Sequence, residues 1–305
     1  MIPFVKMHGC GNDYIFINGF ETVVEDPAAF SRAVSDRHSG IGSDGVILIN
    51  PPDDSANAAR MRMFNADGSE AEMCGNGIRC VCAFVHAAGI DQSQPMRIET
   101  GAGVLDLTWD ANAEGLVESV TVDMGQPSFD PGAIPYAATD PVVEQVIAEL
   151  GGADARCRSW RGTLVSMGNP HLVVFIDNVA ACPLHEIGPV VEHASIFPER
   201  INVHVVESTS PDSARMRTWE RGAGLTQACG TGAAAVVAAG VAGGRLNRVV
   251  NVDVPGGRLR LRWDESTGHM FKTGPATAVY SGVWSPVTNA LMIGAASSTM
   301  FARQI

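Results

Sequence analysis

Two short phrases put a thiol at the same kind of junction. In "EMCGNGIRCVCAF", residues 72–84, Cys74 stands directly before Gly75, Asn76 and Gly77. In "QACGTGAAAVVAA", residues 227–239, Cys229 stands before Gly230, Thr231 and Gly232. Each phrase runs on into small and apolar residues suited to a buried helix. The start of a helix carries unpaired N–H groups and about half a positive charge, which lowers a cysteine below its usual ~8.5 and favours the thiolate. The glycines allow backbone N–H groups to approach a carboxylate closely. Two such thiols around one bound carboxylate suggest chemistry at the carbon beside it. One thiolate removes the α-proton from one face, the opposite thiol returns a proton to the other, and the stereocentre inverts.

The elements that position the thiols are themselves repeated. "RMRMFNADGSEAEMC" at 60–74 aligns without gaps on "RMRTWERGAGLTQAC" at 215–229, an offset of 155. Gly11-Asn12 matches Gly168-Asn169, and "VILI" at 46–49 matches "VHVV" at 203–206, both at an offset of 157. Two copies of one plan, too long for a solenoid repeat, predict two pseudo-symmetric lobes with the active site in the cleft between them. Runs such as "YIFIN", "GVILIN", "ARMRMFN", "GVLDLTW", "SVTVDM", "HLVVFID", "INVHVVE" and "GGRLRLRW" read as strands. Helices are expected at 26–38 and 140–152, each opening on Asp-Pro, and after each of the two cysteines. The last two are apolar nearly all round and so read as central. The expected fold is α+β, each lobe a curved, mainly antiparallel sheet or barrel around a buried helix. The boundaries are 1–124 plus a returning 275–305 for the first lobe and 125–274 for the second.

With 305 residues, 46% of them hydrophobic, the chain can bury a large core, and its formal charge of -12 without a Lys/Arg cluster argues against nucleic acid or an anionic membrane as partner. A small molecule is the expected partner. The N-terminus lacks a signal-peptide pattern and no apolar run approaches the ~20 residues of a membrane span, so a cytoplasmic location is expected. Seven cysteines, an odd number, then read as reduced thiols. Cys10, Cys80, Cys82, Cys157 and Cys182 read as core residues. The C-x5-C-x-C spacing of Cys74, Cys80 and Cys82 does not suit a tetrahedral metal site. "GCGNDY" lacks the Lys-Ser/Thr of a phosphate loop.

From "KMHGCGNDYIFI" through "DRHSGIGSDGVILI", "FNADGSEAEMCGNGIRC", "SMGNPHLVVFID" and "TWERGAGLTQACGTGAAA" to "TGPATAVYSG", the sequence resembles the diaminopimelate epimerase family of cofactor-independent amino-acid racemases and epimerases. The resemblance implies conversion of L,L- to meso-diaminopimelate, on the route to lysine and cell-wall peptide, with no pyridoxal phosphate and no metal. It implies that Cys74 and Cys229 are the acid/base thiols and that Gly75, Asn76, Gly230 and Thr231 cradle the reacting carboxylate. Asn12, Asn65, Asn169, Asn202, Glu220 and Arg221 fall where the family holds the distal amino-acid head, with His171 as a supporting residue. Tyr280 resembles a position at a dimer contact, so a homodimer is expected.

The chain departs from the family pattern at Gly45, where many members carry Gln, and at Leu225, where a polar residue is expected near Cys229. The tail from Ser285 has no assigned role. Two other readings stand beside the epimerase. One is a two-thiol racemase of another amino acid, for which Gly45 leaves room. The other is a thiol redox protein, which would want a C-x-x-C pair that the sequence lacks. A pyridoxal phosphate racemase needs a Schiff-base lysine, and the chain has only Lys6 and Lys272, neither beside a phosphate-cradling loop.

Overall fold

A computed structural model of the chain describes residues 1–136, 140–146, 160–285 and 290–294. The chain divides into two compact units, Met1–Val122 with the described residues from Gly274 onward, and Asp123–Thr273. The first runs β1 (Ile2–Gly9), β2 (Asn12–Asn18), α1 (Pro27–Ser35), β3 (Gly45–Asn50), β4 (Ala59–Asn65), β5 (Glu70–Ala71), α2 (Gly77–Ala87), β6 (Met96–Thr100), β7 (Gly103–Ala111) and β8 (Val117–Asp123). The second runs β9 (Gln145–Val146), β10 (Arg161–Ser166), β11 (Pro170–Phe175), α3 (Leu184–Glu192), β12 (Asn202–Ser210), β13 (Ser213–Glu220), β14 (Gly224–Thr226), α4 (Gly230–Ala242), β15 (Val249–Val254), β16 (Gly257–Trp263) and β17 (Met270–Pro275). The chain then adds β18 (Thr277–Ser285) and β19 (Ala290–Gly294), an antiparallel pair whose first strand also pairs with β1. Part of the tail from Ser285 therefore extends the first unit's sheet.

The two units follow one plan. β1 and β2 form a hairpin, β2 runs parallel to β3, and β3 is antiparallel to β4. The second unit repeats this with β10, β11, β12 and β13. Each parallel step is crossed by a helix, α1 or α3, and the two helices lie at the same offset of 157 as the strands. α1 begins as its sequence predicts, with the Asp26 carboxylate accepting from Ala29 N at 2.9 Å and Pro27 in the first turn. β3 is buried at five successive positions because α1 packs against it from one side and α2 from the other. The same holds for β12 between α3 and α4. α2 is buried without a break from Gly77 to Val85, and α4 from Gly232 to Gly240, so both are central helices.

Two expectations change. Residues 140–146 are not helical but end in β9, and the rest of the expected 140–152 helix lies outside the described residues. The counterpart of α1 is instead α3, whose internal Pro189 and uncapped start at Pro183 hid it from pattern reading. "GCGN" is a two-residue hairpin turn, with Cys10 at φ 55° and Gly11 at 81°. Positive φ at both positions matches the right-handed twist of the flanking strands.

Candidate active site

In the first unit the thiol sits at the start of α2. Gly77 N donates to Cys74 Sγ at 3.4 Å and Ile78 N to the Cys74 carbonyl at 2.9 Å. The Cys74 thiol donates to Asn12 Oδ1 at 3.3 Å. Asn12 stands just past the hairpin turn, and its Nδ2 donates to Asp44 Oδ2 at 2.6 Å. Arg37 holds Asp44 in turn, at 2.8 Å. Tyr14 lies one side-chain alternation further along β2; burial first, then the neighbouring Cys74, push its phenol upward. Beneath the loop is Arg79, wholly buried. It donates to the Gly75 carbonyl and to Asn76 Oδ1, both at 3.0 Å, and to the Pro275 carbonyl at 3.1 Å. Gly75 and Asn76 are thus fixed at the helix start by a guanidinium that the sequence reading gave no role.

Asn65 lies in the same cross-strand row as Tyr14 and Gly45. Its Nδ2 donates to Ser69 Oγ at 2.9 Å, within the turn that follows β4. Gly45 itself has little space: a Cβ there would lie 2.1 Å from the Phe64 carbonyl oxygen. The strand therefore has to move before any side chain, Gln included, can stand at this position.

The second unit builds its thiol at the start of α4. Gly232 N donates to Cys229 Sγ at 3.3 Å, and Thr231 Oγ1 lies 3.7 Å from the sulfur. By helix geometry the N–H groups of Gly230 and Thr231 lack intrahelical acceptors and are available to an anion. Below the loop is another buried basic side chain, Lys272, whose Nζ would lie 2.3 Å from a Cβ on Gly230. The expected lowering of the thiol does not hold at Cys229. Burial pushes it well above the ordinary cysteine value, and the nearby Glu220 carboxylate adds to this, against weaker help from Gly232 N and Thr231. Both effects favour the protonated thiol at Cys229. Burial likewise raises Glu220, opposed by Thr226, whose Oγ1 donates to it at 2.5 Å, and by Cys229.

Around this thiol the repeat supplies different side chains. Asn169 takes the place of Asn12, and its Nδ2 lies 3.5 Å from Thr231 Oγ1. His171 takes the place of Tyr14, wholly buried, with Nε2 2.8 Å from Asn169 Oδ1 and Nδ1 2.9 Å from His204 Nε2. Asn202 is buried with both ends of its amide engaged: Nδ2 donates to the Pro170 carbonyl at 2.8 Å and Oδ1 accepts from Arg221 N at 2.9 Å. It fixes the turn that carries Arg221. Glu192, at the end of α3, does the same from below, accepting from Trp219 Nε1 at 2.7 Å and Gly222 N at 3.0 Å. The Arg221 side chain is exposed and donates to the Glu199 carbonyl at 3.0 Å. Leu225 is also exposed, on β14, opposite Trp219.

Asp44, Arg79, Glu192, His204 and Lys272 were not assigned from sequence. Arg79, inside "GNGIRC", was the one with a local signal. The core cysteines divide as well. Cys10, Cys80 and Cys82 are buried, and burial pushes the last two up to about 12, while Cys182 is half-buried against the α3 core. Cys157 lies outside the described residues. Tyr280 directs its hydroxyl to the Ile41 carbonyl at 3.3 Å and sets its ring edge-on to Phe4. Among the described residues no group of three or more His, Cys, Asp or Glu is placed to hold a metal ion, and no helix is long and apolar enough to cross a membrane.

Comparison with known proteins shows the family. A family model described as diaminopimelate epimerase matches residues 4–129 and 163–279. The chain is 47% identical over 289 residues to a diaminopimelate epimerase of Agathobacter rectalis, covering 92% of this chain and 98% of that one. It is also 47% identical over 281 residues to one from Acetivibrio thermocellus, covering 92% and 97%. Among solved structures, a probable proline racemase from Agrobacterium radiobacter shares the fold with a TM-score of 0.62 at 17% identity, over 99% of this chain and 98% of that one.

Proposed function

Because the chain belongs to the diaminopimelate epimerase family, we propose that it interconverts L,L- and meso-diaminopimelate, with Cys74 and Cys229 as the two acid/base thiols. The observation that carries this reading is the duplicated thiol. In each unit a cysteine precedes a buried helix and its sulfur accepts the N–H of the residue three further on. In the reaction one thiolate takes the α-proton and becomes a thiol, the negative charge spreads onto the substrate carboxylate, and the other thiol delivers its own proton to the opposite face. The N–H groups around Gly75, Asn76, Gly230 and Thr231 stabilise the charge on that carboxylate. Burial favours the protonated form of Cys229, so it starts as the donor; each inversion leaves thiol and thiolate exchanged, and a further turnover in the same sense needs the proton returned to Cys229.

The distal head is read by Glu220, which accepts from an ammonium, and Arg221, which forks onto a carboxylate, with Asn12, Asn65, Asn169 and Asn202 as further amide partners for its polar groups. The enzyme serves lysine and cell-wall precursor synthesis in the cytoplasm and works as a homodimer, with Tyr280 on β18 near the contact. The deciding experiment follows α-deuterium entry from deuterated water into diaminopimelate, with reduced protein and no added cofactor. Deuterium at the inverted centre is the expected result. Exchange into another amino acid and none into diaminopimelate would transfer the reading to a different racemase. Analytical ultracentrifugation tests the dimer, and a single monomer species across micromolar concentrations would remove it.

A further inference from the structure

Asn12 and Asn169 occupy the same place in the two units, yet their surroundings turn their amides in opposite senses. Asn12 Nδ2 is tied at 2.6 Å to the carboxylate of Asp44, a group that only accepts, so its Oδ1 is left facing Cys74 Sγ. At Asn169 the reverse holds. Its Oδ1 lies 2.8 Å from His171 Nε2, His171 Nδ1 lies 2.9 Å from His204 Nε2, and His204 Nδ1 lies 2.9 Å from Thr218 Oγ1. Burial pushes His171 well below the ordinary histidine value and His204 down to about 3, so both rings are neutral.

A neutral imidazole has one donor and one acceptor nitrogen, so a string of two has a single direction throughout. The Thr218 hydroxyl sets that direction. It is buried, and among the described residues His204 Nδ1 is its hydrogen-bond partner. Run one way, the hydroxyl donates to His204, His204 Nε2–H donates to His171, and His171 Nε2–H donates to Asn169 Oδ1. Run the other way, the Thr218 hydrogen is left buried without an acceptor, a costly state. The amide of Asn169 is therefore fixed with its NH2 outward, toward Thr231.

We infer that Thr218, His204 and His171 form a positioning relay that presents Asn169 as a hydrogen-bond donor to a carboxylate oxygen of the ligand, whereas Asp44 presents Asn12 as an acceptor. The repeat explains why each device occurs once. Shifted by 157, Asp44 falls on Ile201, while His171 and His204 fall on Tyr14 and Ile47. Neither unit can borrow the other's means of holding its asparagine.

Nitrogen-15 spectra of histidine-labelled full-length protein test the relay without any assay of activity. Both His171 and His204 are expected as neutral Nε2–H tautomers at pH 7; an Nδ1–H tautomer or a charged ring at either position would overturn the inference. A second arm rests on the proposed epimerase activity. Thr218→Val keeps the shape and removes the hydroxyl, and is expected to raise the KM for diaminopimelate about tenfold with kcat little changed, while Thr218→Ser restores the KM. An unchanged KM in Thr218→Val would remove the relay's role in binding. Absence of epimerase activity in the unsubstituted enzyme would sink the proposed function and leave the tautomer result standing.

Discussion

The two units set different side chains beside their thiols: amides and a phenol in the first, a carboxylate and two buried histidines in the second. Cys74 is half-buried, with Asn12, Tyr14 and Asn65 nearby in the sheet and Ile47 under the first helical glycine. Cys229 is buried beside Glu220, with His171 on the neighbouring strand and His204 under the equivalent glycine. Asn65 and Glu220 are counterparts at the offset of 155, as are Gly45 and Asn202 at 157. The backbone plan and the thiol were retained in both copies. What diverged is the row of side chains beside the thiol, and the divergence gave the charged recognition groups to one copy.

The shared part of the comparison should give the largest effects. Cys74→Ala and Cys229→Ala are each expected to lower turnover by about two to four orders of magnitude, since each removes one of two proton-transfer groups. Steady-state inversion assays check this, and a variant of either thiol that inverts at the normal rate would end the two-thiol mechanism. Next comes the diverged part. Arg221→Ala should lower kcat/KM by about 10- to 200-fold, the loss of a charge-assisted hydrogen bond worth roughly 1.5–3 kcal/mol. Ala66→Arg, which puts an arginine at the counterpart position of the first unit, should not restore it. Recovery by that second change would make the two units interchangeable in recognition.

The smallest effect concerns stability, and its sign follows from burial. His204 has a folded value pushed down to about 3, below that of the unfolded chain, so the unfolded state takes up the proton first as pH falls. The stability this contributes is complete above about pH 6.5 and is lost as pH falls toward 3, with a slope of about 1.4 kcal/mol per pH unit. His171 acts in the same direction. Glu220 acts oppositely, because its folded value is raised: its contribution is present below the unfolded value and is lost as pH rises through the folded one. Urea unfolding between pH 6.5 and 4.5 should therefore show a shallower acid slope in His204→Gln than in the parent. Equal slopes would mean that His204 is not held neutral.

The parts of this design that were legible in the sequence are those with local signatures. The Gly-flanked cysteines, the apolar helices behind them and the Asp-Pro start of α1 each announce themselves within a few residues. α3 did not, because its proline stands inside the helix and its start has no side-chain cap, although the offset of 157 would have found it. The relay was invisible for a different reason. His171, His204 and Thr218 are joined only by strand pairing across β11, β12 and β13, and no spacing along the chain encodes that contact. The direction of the Cys229 shift was also missed, because helix position was legible while the depth of burial and the approach of Glu220 were not.

One glycine links the relay to the thiol by close packing. A Cβ on Gly232 would stand 2.3 Å from Cε1 of the His204 ring, so the first turn of α4 rests directly on the imidazole. Gly232 N also holds the sulfur. The thiol-bearing end of the helix and the histidine that orients Asn169 are consequently packed against each other. Over evolutionary time that contact acts as a lock on two positions at once: a larger residue at 232 is accessible only to a chain that has already given up the ring at 204, and with it the fixed amide of Asn169.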